Sequence, residues 1–253
     1  MYTTKKCPKC GYISDVEFMD CPKCGVIISK FLEKDKSREE YEKKESLNIK
    51  SSLENLANAE SLKIQQLKEW GEILTGFETR NKYNIMDSWG NQIFEAEEKS
   101  GSFLTALTRF ALTHLRPFTI SIFSQEGNEL FVLKRPFRFF FHELDIRKAN
   151  GMVLGKVVRR FAVLRRVYAV IDGNGGEVYQ LFGPILRPWT FFIKKDGQEL
   201  GKIVKKWSGL AKEAFTDADN FGINFPQGLD VNQKAIFLGA LFLIDFVHFE
   251  KKN

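Results

Sequence analysis

Cysteine is scarce and confined: four residues, all within the first 24, and none in the remaining chain. That distribution excludes a disulfide framework for everything after residue 24. Histidine is scarcer still, with only His114, His142 and His248 to supply imidazole. No serine or cysteine sits in a recognisable nucleophile turn. The glycine-rich run Asp172-Gly-Asn-Gly-Gly176 lacks the lysine and helix start that a phosphate loop requires. No catalytic constellation is recognised, so the chain reads as something other than an enzyme. Long apolar runs are also missing. The longest spans ten residues near the C-terminus, and the first residues reach Cys7 without an apolar stretch. The expectation is therefore no secretory signal and a cytoplasmic protein. Acidic charge is the minority sign, at 32 Asp/Glu against 38 Lys/Arg, and nearly all of the basic excess falls after residue 70. Such a balance favours an anionic partner, either a membrane surface or a nucleic acid.

What is abundant is aromatic area, led by 24 Phe. The 253 residues divide into three textures. Residues 1–28 hold Cys7-Pro-Lys-Cys10-Gly11 and Cys21-Pro-Lys-Cys24-Gly25, one pentapeptide written twice. Each copy offers two thiolates from a tight turn, and four sulfurs complete the tetrahedral shell that zinc prefers, with no position left for substrate. A structural zinc ribbon is expected. Residues 29–70 contain neither Pro nor Gly and are dense in both charge signs. They are expected to form a solvated helical linker, with Leu53, Leu56, Leu67 and Trp70 as a thin apolar stripe.

Residues 71–253 read as a β domain with a helix at about 231–249. Short β-type runs flank Asp-Gly and Asn-Gly pairs, as at Asp172–Gly176 and Lys195-Asp196-Gly197. Those pairs accept the positive φ of tight hairpins. The hairpins repeat. Gly127, Glu129, Leu133 and Pro136 recur as Gly175, Glu177, Leu181 and Pro184, and Leu154-Gly155-Lys156 recurs as Leu200-Gly201-Lys202. About twelve strands are expected between Lys82 and Phe225, closed into an antiparallel barrel because closure removes exposed edges. The segment Ala235–Phe249 is apolar on every side, interrupted only by Asp245 and His248. It is expected to plug the barrel, with a membrane span as the alternative.

Several motifs then carry a resemblance. The stretch Ile73–Tyr83 (ILTGFETRNKY) resembles the start of the phospholipid scramblase domain. So do Arg116-Pro117-Phe118-Thr119, Trp207-Ser208-Gly209-Leu210 and Glu213–Ile223 (EAFTDADNFGI), with Phe242-Leu-Ile-Asp-Phe246 like that family's last helix. The resemblance covers about residues 71–250. It implies a tubby-like barrel around a central helix, and calcium-promoted, ATP-independent, non-selective movement of phospholipids between leaflets. The family's calcium loop maps onto Asp217, Asp219, Phe221, Ile223 and Phe225, with Gly222 at the sixth position. The twelfth position is Gly228, where animal members carry an acid. Asp230 is the nearest carboxylate, and Asp230-Val-Asn-Gln233 also reads as a helix capping box. Weak calcium binding and a plain solvated turn both fit this loop.

Animal scramblases carry palmitoylated cysteine clusters where this chain has residues 102–114 and Phe137–Phe141, which hold no cysteine. Acylation there is excluded. Phe and Leu could serve as membrane-seeking groups instead. Alternatively, Phe139–Phe141 are barrel residues and 102–114 is a helix over an open end. The basic candidates for lipid contact are Arg159, Arg160, Arg165 and Arg166, with Lys205 and Lys206 at the equivalent repeat position. Two functions follow: a scramblase-type protein on an anionic phospholipid membrane, or a zinc-ribbon regulator that binds nucleic acid through the basic barrel face.

Overall fold

A computed structural model describes residues 3–67, 81–99, 117–137, 141–205 and 220–248. The chain divides into two compact units, Met1–Lys50 and Ser51–Asn253.

In the first unit, strands β1 (Thr4–Lys6) and β2 (Ile13–Phe18) pair antiparallel. Each CPKCG segment folds the same way. The amide of Cys7 donates to Tyr12 O at 2.8 Å and that of Gly11 to Cys7 O at 3.0 Å; Cys21 and Gly25 repeat this with Val26 O and Cys21 O. Gly11 and Gly25 hold φ of 73° and 66°, a left-handed geometry that explains the glycine after each second cysteine. Cys7, Cys21 and Ile28 form a small core beneath Tyr12, Phe18 and Val26. Helix α1 (Ile28–Asn58) begins here and ends in the second unit, with its charged residues in solvent.

The second unit is a closed antiparallel barrel of twelve strands, each hydrogen-bonded to its neighbours in sequence. These are β3 (Ser61–Leu67), β4 (Lys82–Met86), β5 (Gln92–Glu98), β6 (Phe118–Ser124), β7 (Glu129–Arg135) and β8 (Glu143–Lys148). They continue as β9 (Val153–Arg160), β10 (Arg166–Asp172), β11 (Glu177–Gly183), β12 (Thr190–Lys195), β13 (Gln198–Lys205) and β14 (Asn220–Asn224). The barrel closes where β14 pairs with β3, Phe221 facing Ile64 and Ile223 facing Leu62.

The expected strand number is right, but its bounds are not. Among the described residues eleven strands lie between Lys82 and Phe225, and the twelfth is Ser61–Leu67, inside the stretch expected to be helical linker. Leu62 and Ile64 point into the core while Lys63 and Gln65 do not, a period of two that outweighs the helical composition around it.

Helix α2 (Val231–His248) fills the barrel, and residues 234–247 are all buried. It is long and apolar enough to cross a membrane, yet it lies inside the barrel as its core. Its start is fixed by a reciprocal cap: Gln233 N donates to Asp230 Oδ1 at 2.8 Å, and Asp230 N donates to Gln233 Oε1 at 3.1 Å. Aromatic packing then locks it, with Phe246 stacked on Phe118 at 4.3 Å and Phe242 edge-on to Tyr83 at 5.1 Å. The repeated Leu-Gly-Lys also has a structural reason. A Cβ on Gly155 would lie 2.3 Å from Ile171 O, and one on Gly201 would lie 2.5 Å from Asn224 O. Only glycine lets the neighbouring backbone come so close.

Because the strands simply go up and down, the connections alternate between two ends. One end carries short turns at 87–91, 125–128, 149–152, 173–176 and 196–197. The other carries the connections 161–165 and 184–189, with the described residues 136–137 and 141–142 of the β7–β8 connection. Helix α2 enters from the turn end and points its C-terminus toward the loop end.

Candidate functional site

Among the described residues, two places bring chemistry together. In the first unit the four thiols lie within 4.8 Å of one another. Cys7 Sγ and Cys24 Sγ are 3.8 Å apart, and Cys10 Sγ and Cys21 Sγ are 3.7 Å apart. With Zn–S bonds of about 2.3 Å, the edge of a tetrahedron is about 3.8 Å. The spacing therefore fits one tetrahedral ion and is far too long for a disulfide. Burial pulls the Cys21 thiol up, but amides of Cys24 and Lys23 and the neighbouring thiols outweigh it and bring it down to about 7. At Cys10 the Tyr12 amide pulls down, and desolvation with the other three thiols overcomes it, up to about 11. Four thiolates cannot all ionise side by side without a cation among them. The donor set suits a closed structural zinc site.

The second place is the loop end of the barrel, where a polar cluster surrounds the C-terminus of α2. Arg135 is 2% exposed and lies 2.7 Å from His142 Nδ1, with its guanidinium 5.7 Å from the Phe118 ring centroid. Tyr168 OH lies 2.8 Å from His248 Nε2. Burial pushes the Tyr168 phenol well above its ordinary range, opposed by the charges of Arg159, Arg135 and Arg166. Asp245 is buried at the same end of α2. Motif reading missed Arg135, although a signal was there. It follows Phe131 and Leu133 in the inward register of β7, and a cation in that register needs internal partners.

The basic candidates separate. Arg160 is exposed and pairs with Glu177 at 2.8 Å, and Arg165 is exposed. Arg159 is half-buried, its charge near the Tyr168 phenol. Arg166 is turned to internal partners. It donates to Pro188 O at 2.7 Å, Pro184 O at 3.2 Å and Arg187 O at 3.3 Å, and sits 4.5 Å above the Phe191 ring. Lys205 is 8% exposed, 4.9 Å from the Phe221 ring centroid. Neither Arg166 nor Lys205 offers a free surface charge, because the first is held by three backbone carbonyls and the second is buried against Phe221. Lys206 lies outside the described residues.

So do Asp217 and Asp219. Of the remaining calcium-loop positions, Phe221 and Ile223 are buried in β14, in register with β3 on one side and β13 on the other. Their backbone runs in the sheet ladder, and the Asp230 carboxylate holds the cap of α2. Residues 102–114, Phe139 and Phe140 are also outside the described set, while Phe141 is exposed in the β7–β8 connection.

The family and sequence comparisons agree with one another. The family model described as Scramblase matches residues 42–251, spanning the whole barrel and its core helix. Mouse phospholipid scramblase 1 is 38% identical over 81% of this chain, and this chain spans 66% of that protein's length. Human phospholipid scramblase 1 is 37% identical over 81% of this chain and 67% of its own length. Bovine phospholipid scramblase 2 is 38% identical over 81% of this chain and 73% of its own. An X-ray structure of a protein from Arabidopsis thaliana aligns with 74% of this chain and 93% of its own, at 13% identity and a TM-score of 0.42. The matched range, 42–251, takes in every strand of the barrel and its core helix: this chain belongs to the scramblase family.

Proposed function

We propose that the protein acts at the cytoplasmic face of a membrane, where it binds anionic phospholipid and promotes bidirectional, ATP-independent movement of phospholipids between leaflets, with calcium as a promoter. The observation that carries this reading is the family match across residues 42–251, at 38% identity to a protein named phospholipid scramblase. The packing constrains the mechanism. With α2 filling the barrel, headgroups pass beside the protein, where its loops disturb the bilayer, and not through it. Exposed Arg160 and Arg165, with half-buried Arg159 behind them, draw anionic headgroups to that boundary.

The calcium role rests on Asp217 and Asp219, with no acid at Gly228. Two carboxylates make a weak site, responsive at roughly millimolar calcium. Asp217→Ala/Asp219→Ala removes the calcium response and leaves lipid binding intact. Cys7, Cys10, Cys21 and Cys24 hold zinc in a structural role.

The test is dithionite quenching of labelled lipid in proteoliposomes without ATP, run beside vesicle flotation and a DNA mobility shift at matched salt. Accelerated quenching supports the proposal. Flotation without faster quenching reduces the protein to a lipid-binding module. A DNA shift with neither lipid result replaces the proposal with the nucleic-acid regulator.

A further inference from the structure

Exposed large apolar side chains are unevenly placed on the barrel. The β9–β10 connection carries Phe161, Val163 and Leu164, exposed by 83%, 71% and 77%. The β11–β12 connection carries Ile185 and Leu186, the latter 94% exposed, with half-exposed Trp189 behind them. Both connections lie at the loop end. They are also neighbours, since β10 pairs with β11 and Arg166 stands opposite Gly183. Arg166 ties them together: it begins β10 directly after the first connection and donates to three backbone carbonyls of the second. The paired tips are thus held in place before any partner arrives, which lowers the ordering cost of docking.

We infer that these two tips form a membrane-inserting wedge whose partner is an anionic phospholipid bilayer. The inference rests on the membrane reading above and names the surface that makes the contact. Charge selects the occupant. Residues 159–167 and 183–190 contain five arginines and no acidic residue; Arg165 and Arg187 are exposed, Arg159 is half-buried, Arg160 is paired with Glu177 and Arg166 is held by backbone carbonyls. The turn end carries Asp87, Glu126 and Asp196 in its connections. Apolar tips ringed by arginine suit a surface that is oily inside and anionic at its rim. Arginine stems can also lie along the acyl boundary with their charges at the headgroups.

The experiment uses the full chain and vesicles of phosphatidylcholine and phosphatidylserine with brominated acyl chains, which quench tryptophan on contact. Two single-tryptophan proteins keep either Trp189 or Trp89, the other tryptophans being replaced by Phe. Trp89 is 80% exposed but sits at the turn end, so it reports general contact. Quenching of Trp189 with Trp89 unaffected is the expected result. Should those proteins fail a thermal-melt check, Trp189→Phe and Trp89→Phe in the otherwise intact chain give the same comparison. There, Trp189→Phe should reduce the quenching and Trp89→Phe should leave it unchanged. In parallel, Phe161→Ser/Leu164→Ser/Leu186→Ser should weaken vesicle binding by about tenfold or more. Trp89→Ser/Met152→Ser/Leu200→Ser should leave it unchanged. Flotation with Trp189 unquenched overturns the wedge and leaves the membrane reading standing. Absence of flotation overturns the membrane reading itself.

Discussion

The two ends of the barrel are built by different means. At the turn end the connections close mainly through their own residues, with outside hydrogen bonds from Ala149 N to Leu130 O and from the Gln125 side chain to Gln92 O. Asp87 Oδ1 accepts the amides of Trp89 and Asn91, both at 2.9 Å, and Asp172 Oδ1 accepts those of Asn174 and Gly176 at 3.0 and 2.9 Å. Gly90 and Gly175 supply the positive φ such turns demand. The loop end depends on distant partners: Arg166 on the 184–188 backbone, Arg135 on His142, Tyr168 on His248 across the barrel. Local closure makes an end whose turns are written largely in consecutive residues. Closure through tertiary contacts leaves the connections free to vary in length and to expose apolar side chains. Binding surfaces are commonly carried by loops of that second kind.

The largest effect expected is loss of both ends together. Leu241 is 1% exposed at the middle of α2, and Leu241→Lys buries an ammonium among apolar side chains. The cost, about 3–5 kcal/mol, is comparable to a domain's stability, so circular dichroism should show an unfolded barrel. A folded, soluble Leu241→Lys protein would break the account of α2 as core. Next is metal removal. Chelation should release one zinc and unfold the Cys7–Gly25 region, while the barrel's melting temperature stays the same; metal analysis beside calorimetry reads both. Arg166→Ala comes third, expected to cost about 2–3 kcal/mol through the three carbonyls it abandons, with Arg166→Lys a poor rescue because one ammonium cannot span them. Its partner on the comparison, Asp172→Ala at the turn end, should disturb only its own hairpin. Fourth, each of Arg160→Gln, Arg165→Gln and Arg187→Gln should weaken vesicle binding by about 1 kcal/mol, about fivefold, and reduce its salt dependence.

The smallest effect concerns pH. The folded state holds the Tyr168 phenol protonated above the range where the unfolded chain ionises, so folding binds a proton there. Its contribution is fully present below pH of about 10 and declines as pH rises beyond that. Tyr168→Phe should flatten the alkaline fall in melting temperature.

The contrast between the ends also explains what the sequence made legible. Turn-end hairpins were readable because their determinants are local: Asp172–Gly176 and Lys195–Gly197 are each a turn written in consecutive residues. The four-cysteine cluster was readable for the same reason, as two identical pentapeptides. The core helix followed from its apolar character on all sides. Loop-end features were not readable from motifs. Arg165 and Arg166 are adjacent and chemically identical, yet one faces solvent and the other holds a neighbouring loop, a difference set only by register and by what β11 brings alongside. Ser61–Leu67 was hidden for a related reason. Its period of two spans too few residues to stand out after a long charged helix, and its identity as a strand comes from the β14 and β4 edges it joins.

Hydrogen exchange of the full chain, free and bound to phosphatidylserine-containing vesicles, tests the central claim most directly. The account predicts slowed exchange at residues 160–166 and 183–190 on binding, with the turns at 87–91, 125–128, 149–152, 173–176 and 196–197 unchanged. Slowing confined to those turns, or spread equally over both ends, would contradict it.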